Sequence, residues 1–403
     1  MPQAFPDYYQ FLHPTRIVAG RGMIEGAGFE FMKEGAKRPL IVTDPGLRAS
    51  GLVEKVEAGV TDGGLEVAGV FDAVEQDSST DTVEACSAAA VEAGADSFVA
   101  VGGGSVMDTA KVTNAVFSHG GSVLDYEGIY QLPRAENGMG APLPLAPLAC
   151  IPTTAGTGSE VSFAAVIKDP AQKVKLLIGD FPLFPDLAIL DPAATATLPP
   201  QLAAATGMDA MTHAIEGYVA VEGTNPHSHA CALHALRLIR DNLPVAVSDP
   251  SNEDARGNML IAASLAIVPG GSGNPALGAV HSMSHAAGAQ HGVAHGVANA
   301  INLPHVIRFN AGGGPEIADR YRDLADLLGA EPGGSGEEVG DSLAGWVGTL
   351  TSSLELPQRL SQVGVPESGI PDLVEGAMGD GCTLTNPREL EPGDFEELYK
   401  AAL

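Results

Sequence analysis

The sequence predicts an α/β N-terminal domain with a mostly parallel sheet over residues 1–190, joined to an all-helical C-terminal domain over residues 191–403. Three observations carry that expectation. The chain has 403 residues, beyond the roughly 250–300 at which one hydrophobic core stops growing. In its first half, short β-rich runs alternate with amphipathic stretches at the spacing of βαβ units. After DLAILDPAATATLPP (186–200) the strand signals stop and Ala-rich helical periodicity takes over.

Taken in order, PLIVTD (39–44) reads as a buried strand closed by Asp44, and EVAGVFD (66–72) as the next strand. TDTVEACSAAAVEAG (80–94) has helical periodicity, and SFVAVGGGS (97–105) is a strand running into glycines. A parallel sheet of this kind binds ligands beyond the carboxyl ends of its strands. In SFVAVGGGSVMDTAK the turn Gly102-Gly103-Gly104-Ser105 opens a helix carrying Asp108 and Lys111. Glycines let a backbone approach a phosphate, and free amides at a helix start attract an anion. The order suits a pyrophosphate cradle, with Asp108 among the candidate cofactor contacts, although neither GxGxxG nor GxxxxGK[ST] is present. A second glycine-punctuated loop, IPTTAGTGSEVS (151–162), offers hydroxyls at Thr153, Thr154, Thr157, Ser159 and Ser162. Each loop alone is also compatible with a simple turn. Asp44 at a strand's carboxyl end can accept from an adenosine ribose and would repel a 2′-phosphate, favouring NAD over NADP. As an Asp before Pro-Gly it also suits a helix N-cap.

In the C-terminal domain, HSHACALHALRLIRDNL (227–243) and ARGNMLIAASLAI (255–267) read as helices, with GGGPE (312–316) and EPGGSGEE (331–338) as loops. GMDAMTHAIEGY (207–218) places Asp209 and His213 four apart, on one helical face. HSMSHAAGAQHGVAHG (281–296) holds four of the eleven histidines. Spacing alone pairs His281 with His285 and His291 with His295, and does not say which are ligands. A carboxylate with several imidazoles suits a divalent transition metal such as iron or zinc. Any one of these histidines can equally be a satisfied core imidazole, the reading kept for His227, His229 and His234. Four together argue for a site.

Composition narrows the function. Lys plus Arg number 21, of which eight are Lys, against 50 Asp plus Glu, for a net charge of −29. Phosphate binding needs clustered cations, so nucleic acid and anionic membranes are excluded as partners. The same acid excess keeps a protein soluble in concentrated salt, where the Debye length falls to about 3 Å at 1 M; a high-salt cytoplasm is the expectation. Apolar residues make up 45% and aromatics 5%, so the core should be built from small aliphatic side chains. Cys86, Cys150, Cys231 and Cys382 have no close spacing and signal neither a disulfide framework nor a cysteine zinc site. The opening MPQAFPDYYQFLHPTRIVAG lacks a basic-then-apolar leader, and no 18-residue apolar run occurs.

VGGGSVMDTAK, IPTTAGTGSE, ATGMDAMTHAIEGY, HSMSHAAGAQHGVAHGVANAINLPHVIRFN and NPRELEPGDFEELY together resemble the iron-containing, or group III, alcohol dehydrogenases, nearest to the lactaldehyde reductase and butanol dehydrogenase type. The resemblance spans almost the whole chain, in order. It implies a dinucleotide-binding N-terminal domain, an all-helical C-terminal domain and an active site in the cleft between them. It assigns Asp209, His213, His281 and His295 as metal ligands, with iron favoured and zinc the runner-up. It puts His285 beside metal and nicotinamide, where an imidazole is a candidate proton relay, and leaves His291 without a role. On the cofactor side it implies Asp44 at the ribose, Gly103, Gly104 and Ser105 at the pyrophosphate, Thr153, Thr154, Thr157 and Ser162 in the second loop, and Lys175 near the cofactor ribose. It further implies NAD-linked oxidation of a small alcohol or reduction of an aldehyde by a homodimer or larger homo-oligomer. DAVEQDSSTDT (72–82) departs from the family's Pro-Asn-Pro turn, which puts an adenine contact in doubt. Maleylacetate reductase and hydroxyacid-oxoacid transhydrogenase are the alternatives within the fold, and a non-catalytic nucleotide- or metal-binding protein is the alternative outside enzymology.

Overall fold

The computed structural model describes residues 8–135, 140–172, 174–271 and 276–403. The first seven residues of the opening stretch, and Lys173 at the start of KVK, lie outside them. Among the described residues, nine strands fall before residue 191: β1 Arg16–Ala19, β2 Pro39–Val42, β3 Gly69–Phe71, β4 Ser97–Gly102, β5 Gly128–Ile129, β6 Leu148–Pro152, β7 Ala164–Asp169, β8 Val174–Gly179 and β9 Leu187–Leu190. Six form an all-parallel sheet ordered β1-β9-β6-β4-β2-β3; the others form a small sheet β5-β8-β7 in which β7 and β8 are antiparallel. The continuous apolar runs PLIV, SFVAVG, LACIP and LAIL are buried at every position, as expected for parallel strands covered on both faces.

Sheet order positions the cofactor-side segments. From β2 the chain moves outward to β3, then crosses back to place β4 on the other side of β2. At this reversal of direction the connections diverge and leave a crevice. Val42 pairs with Ala100 and Gly102 with Pro152, so the carboxyl ends of β2, β4 and β6 lie side by side. Thr43 ties two of them together, its Oγ1 donating to the Val101 carbonyl at 2.9 Å.

Beyond Pro200 the described residues are helical or irregular. The principal helices are Pro200–Val219, Pro226–Ser248, Glu253–Ala266, Ala279–His291, His295–Ala311, Pro315–Leu328, Gly336–Ser353 and Pro392–Ala402. Their core is mostly Ala, Leu, Val and Ile, and the small side chains allow close helix approach. At Gly207 a Cβ would stand 2.2 Å from Leu243 Cδ1, and at Gly296 one would stand 2.3 Å from the Ala205 carbonyl oxygen. The second contact presses the start of His295–Ala311 against Pro200–Val219.

Candidate active site

The helix Pro200–Val219 supplies Asp209 and His213 from one face, both buried in an apolar environment. His281 comes from the first turn of Ala279–His291, and His295 is the first residue of the next helix. Asp209 Oδ1 lies 3.9 Å from His213 Nε2, 3.9 Å from His281 Nε2 and 3.4 Å from His295 Nε2. Donor atoms about 2.1 Å from a tetrahedral ion stand roughly 3.4 Å apart, so these separations match a shared divalent cation. The donor atoms of Asp209, His281 and His295 all lie within 4.8 Å of one another. His213 joins through Asp209, with its ring stacked on His281 at 4.7 Å. His281 Nε2 is buried without a hydrogen-bond partner. An orphaned imidazole nitrogen beside a carboxylate is costly unless a ligand completes it. Burial, with the neighbouring imidazoles His213 and His285, pushes the His281 pKa well down and keeps the ring neutral, the form a metal requires.

Two contacts were invisible to spacing. Glu216, seven residues beyond Asp209 on the same face, receives His281 Nδ1 at 2.5 Å and the backbone N–H groups of Gly278 at 3.0 Å and Val280 at 2.7 Å. Burial raises its carboxyl to about 7, against these stabilising N–H groups. Asn299, one turn after His295, donates its amide to Asp209 Oδ1 at 2.8 Å and approaches His295 Nε2 at 3.2 Å. The i+7 and i+4 positions were available signals, but Glu and Asn at those steps are common on any helix.

His285 faces the same cluster, its ring stacked on His295 at 5.2 Å and edge-on to His281 at 5.9 Å. Its Nδ1 is bonded to Asp380 Oδ2 at 2.8 Å. Although burial opposes it, the His285 bond and the Cys382 N–H hold the Asp380 carboxyl below the usual carboxylate range. An ionised Asp380 makes Nδ1 the protonated nitrogen and leaves Nε2 free. The side chains of His285 and His295 keep 26% and 31% of their surface exposed, against 2% for His281, so the cluster opens to solvent on their side.

The pairing of His291 with His295 across one helical turn is corrected. The helix ends at His291, Gly292 caps it at φ 68°, and a new helix starts at His295. Left-handed backbone at a C-cap is what glycine permits and a continuous helix forbids. His291 instead points at Gly369, with Nε2 2.8 Å from where a Cβ there would sit.

On the cofactor side, the two loops meet. A Cβ at Gly103 would lie 3.2 Å from Thr154 Oγ1 and one at Gly104 2.8 Å from Thr157 Cγ2; Thr153 follows β6 and donates its N–H to the Gly102 carbonyl. Gly104 opens a 16-residue helix whose N-cap, Gly103, has no side-chain cap bond, leaving its amides to other acceptors. Asp44 caps the helix Pro45–Ser50, accepting from Leu47 N at 2.9 Å. Asp108 is corrected as a phosphate-side contact: one oxygen accepts from Ser159 Oγ at 2.6 Å, the other from Val166 N at 2.9 Å, and a buried carboxylate would repel a phosphate. It fastens the helix to the second loop. Ser162 Oγ is likewise engaged inside, accepting from Lys111 Nζ at 3.1 Å. Lys175 pairs with Asp77 at 2.7 Å, and the Asp77 N–H donates to Ser105 Oγ at 3.1 Å. Asp77 sits in the departing DAVEQDSSTDT turn with φ 54°, so that turn is wired to the first loop by another route.

A parallel sheet with glycine loops at its switch point, followed by helices that gather three imidazoles and a carboxylate, defines a class of nucleotide- and metal-using oxidoreductase. The family models agree. Residues 14–192 match "Iron-containing alcohol dehydrogenase" and residues 203–403 match "Fe-containing alcohol dehydrogenase family, C-terminal". The chain is 36% identical over 396 residues to the NAD-dependent methanol dehydrogenase of Bacillus methanolicus, covering 98% of this chain and 99% of the relative. A solved 1,3-propanediol oxidoreductase superposes with a TM-score of 0.91 at 35% identity, covering 98% of this chain and all of the other. A halo-thermophilic archaeal alcohol dehydrogenase from a Red Sea brine pool superposes with a TM-score of 0.87 at 27% identity, over 99% of this chain and all of the other. The chain therefore belongs to the iron-containing alcohol dehydrogenase family, and it is an oxidoreductase acting on CH–OH donors. No helix among the described residues is long and apolar enough to cross a membrane.

Proposed function

We propose that the chain is a metal-dependent, NAD-linked dehydrogenase that interconverts a small alcohol and its aldehyde, with a nucleotide-binding domain ending near residue 190 and a metal-binding domain after it. The observation that carries the reading is the convergence of Asp209, His213 and His295 with the orphaned His281 Nε2. Asp209, His213, His281 and His295 would hold a divalent metal, which would supply Lewis-acid polarisation of the substrate oxygen, and a bound nicotinamide would supply the hydride chemistry. Iron is the metal favoured by the family; zinc fits the same donors and normally outcompetes ferrous iron for them.

The chain's own residues do the rest. Gly103, Gly104 and Ser105, with Thr153, Thr154 and Thr157 packed against them, present backbone amides and hydroxyls for the pyrophosphate. Asp44 has one oxygen engaged in its cap bond and the other available for a ribose, where it would oppose a 2′-phosphate. Lys175 reaches toward the helix Ala279–His291, its Nζ 4.0 Å from where a Cβ at Gly288 would stand, and so lies between cofactor and metal sides. His285 Nε2, free because Asp380 holds Nδ1, exchanges the alcohol proton with solvent.

The acid surface, with a net charge of −29, supports function in a high-salt cytoplasm, and the likeness to the brine-pool enzyme supports the same reading. A homodimer or larger homo-oligomer is part of the same reading. Protein purified without oxygen, assayed for metal content and for NADH-linked reduction of a panel of small aldehydes and ketones in molar and dilute salt, tests the whole proposal. Stoichiometric iron, chelator-sensitive turnover and loss of folding on dilution are expected; full activity with zinc alone reverses the metal assignment, and turnover without added NAD replaces a dehydrogenase by a transhydrogenase.

A further inference from the structure

The helix Pro200–Val219 points three residues of one face toward the metal cluster: Asp209, His213 and, one turn further, Glu216. Glu216 is buried and touches none of the proposed ligand atoms. Its oxygens meet three nitrogens: Oε1 accepts from Val280 N, and Oε2 accepts from Gly278 N and lies 2.5 Å from His281 Nδ1. The space around the carboxylate is closed as well. A Cβ at Gly278 would lie 2.9 Å from Glu216 Oε1 and 2.8 Å from Asn386 Oδ1, so position 278 must be glycine for the carboxylate to sit there.

The consequence concerns which nitrogen of His281 carries the proton. Two backbone N–H groups use the carboxyl oxygens as acceptors. In its ionised form Glu216 offers Nδ1 only an acceptor, so Nδ1 donates and the neutral His281 ring has its lone pair on Nε2. That is the nitrogen buried without a partner, 3.9 Å from Asp209 Oδ1. We infer that Glu216 is a positioning residue for the metal site, which fixes His281 in the Nδ1–H tautomer and aims a bare Nε2 at the cation. The inference rests on the proposed metal-binding role of His281. Carboxylate–histidine–metal arrangements typically owe about 10–100-fold of metal affinity to the outer partner.

An amide cannot replace this carboxylate. In the Glu216→Gln variant, an amide oxygen placed on Val280 N would leave the NH2 facing Gly278 N–H and Nδ1, driving the ring's proton onto Nε2. If the amide turned over, the NH2 would confront Val280 N–H, and the first turn of Ala279–His291 would lose that acceptor. Either orientation disturbs His281.

The test compares wild-type protein, Glu216→Gln and Glu216→Asp, with Zn2+ and Co2+ as probes. Dissociation constants come from competition against a chelator, visible absorption of the Co2+ form reports the ligand field, and urea unfolding of the metal-free proteins reports the helix-capping role separately. Glu216→Gln is expected to weaken metal binding about 10–100-fold and to alter the Co2+ spectrum, with Glu216→Asp recovering part of both. A folded Glu216→Gln that binds Zn2+ as tightly as wild type, or that loses only metal-free stability, overturns the inference while leaving the metal site intact. Should Glu216→Gln not fold, an unchanged affinity and spectrum in Glu216→Asp overturns it instead. Wild-type protein that binds neither ion stoichiometrically overturns the underlying site itself.

Discussion

The two halves of the site are prepared differently. On the helical side, a side chain waits for a partner: His281 Nε2 is buried without one, and the donor separations already match a cation. On the sheet side, several polar side chains are occupied within the protein. Asp44 caps a helix, Asp108 binds Ser159 and Val166, Ser162 receives Lys111, and Lys175 holds Asp77. What the sheet side leaves available is backbone, at glycines where two loops touch. A metal is recognised by side-chain atoms whose identity is everything, whereas a pyrophosphate is recognised by amides and space. Damage to the two halves should therefore take different forms.

The largest effect is expected at His281. Replacing it by Ala removes a ligand and its buried nitrogen, so metal retention should fail and turnover drop by on the order of 10³-fold, the several kcal/mol of a lost Lewis acid. NAD binding, followed by quenching or calorimetry, should barely change; loss of NAD binding would merge the two halves into one unit. The converse variant is Gly104→Val. A Cβ alone already falls 2.8 Å from Thr157 Cγ2, and overpacking of this kind costs about 1–3 kcal/mol, or about 5- to 150-fold where it falls on NAD affinity. Metal content should stay at wild-type level, and a variant that binds NAD normally would remove this loop from the cofactor site.

A smaller effect separates site from scaffold. His229, away from both halves and edge-on to Tyr218 at 5.0 Å, is pushed by burial, with Arg320 adding to it, down to about 4. His305 is lowered to about 4 by burial and the nearby Arg308 and Arg359. Their folded values lie below the unfolded one, so between about 6.5 and 4 the unfolded chain binds more protons. Stability should be whole above about 6.5 and fall as pH drops through that window. His229→Gln should flatten the slope in urea melts of chelated protein, and an unchanged slope would assign the pH sensitivity to other groups, His305 among them.

Much of this was legible in the residues. Parallel strands show as unbroken apolar runs, so β2 and β4 stood out, and the 80–93 helix announced itself by its period. β1, β5 and the β7–β8 hairpin were not anticipated, being short or half-exposed pieces whose pairing is made by distant partners. Asp209 and His213 were readable as one helical face because both lie on one helix. The partnership of His281 with His295 was readable only by resemblance, since a helix break at Gly292 lies between them and no local period spans it.

The sequence by itself determined the two textures of the chain, its acid surface, the glycines at the strand ends and the types of donor available for a metal. Each follows from composition or from periods shorter than one element. Only the tertiary structure decided that Gly296 lets His295 reach Asp209, that Asp108 belongs to the scaffold, and that Glu216 stands behind His281. Those outcomes depend on which elements meet across some 50–90 residues of chain, where contact is set by packing in three dimensions and leaves no spacing to read.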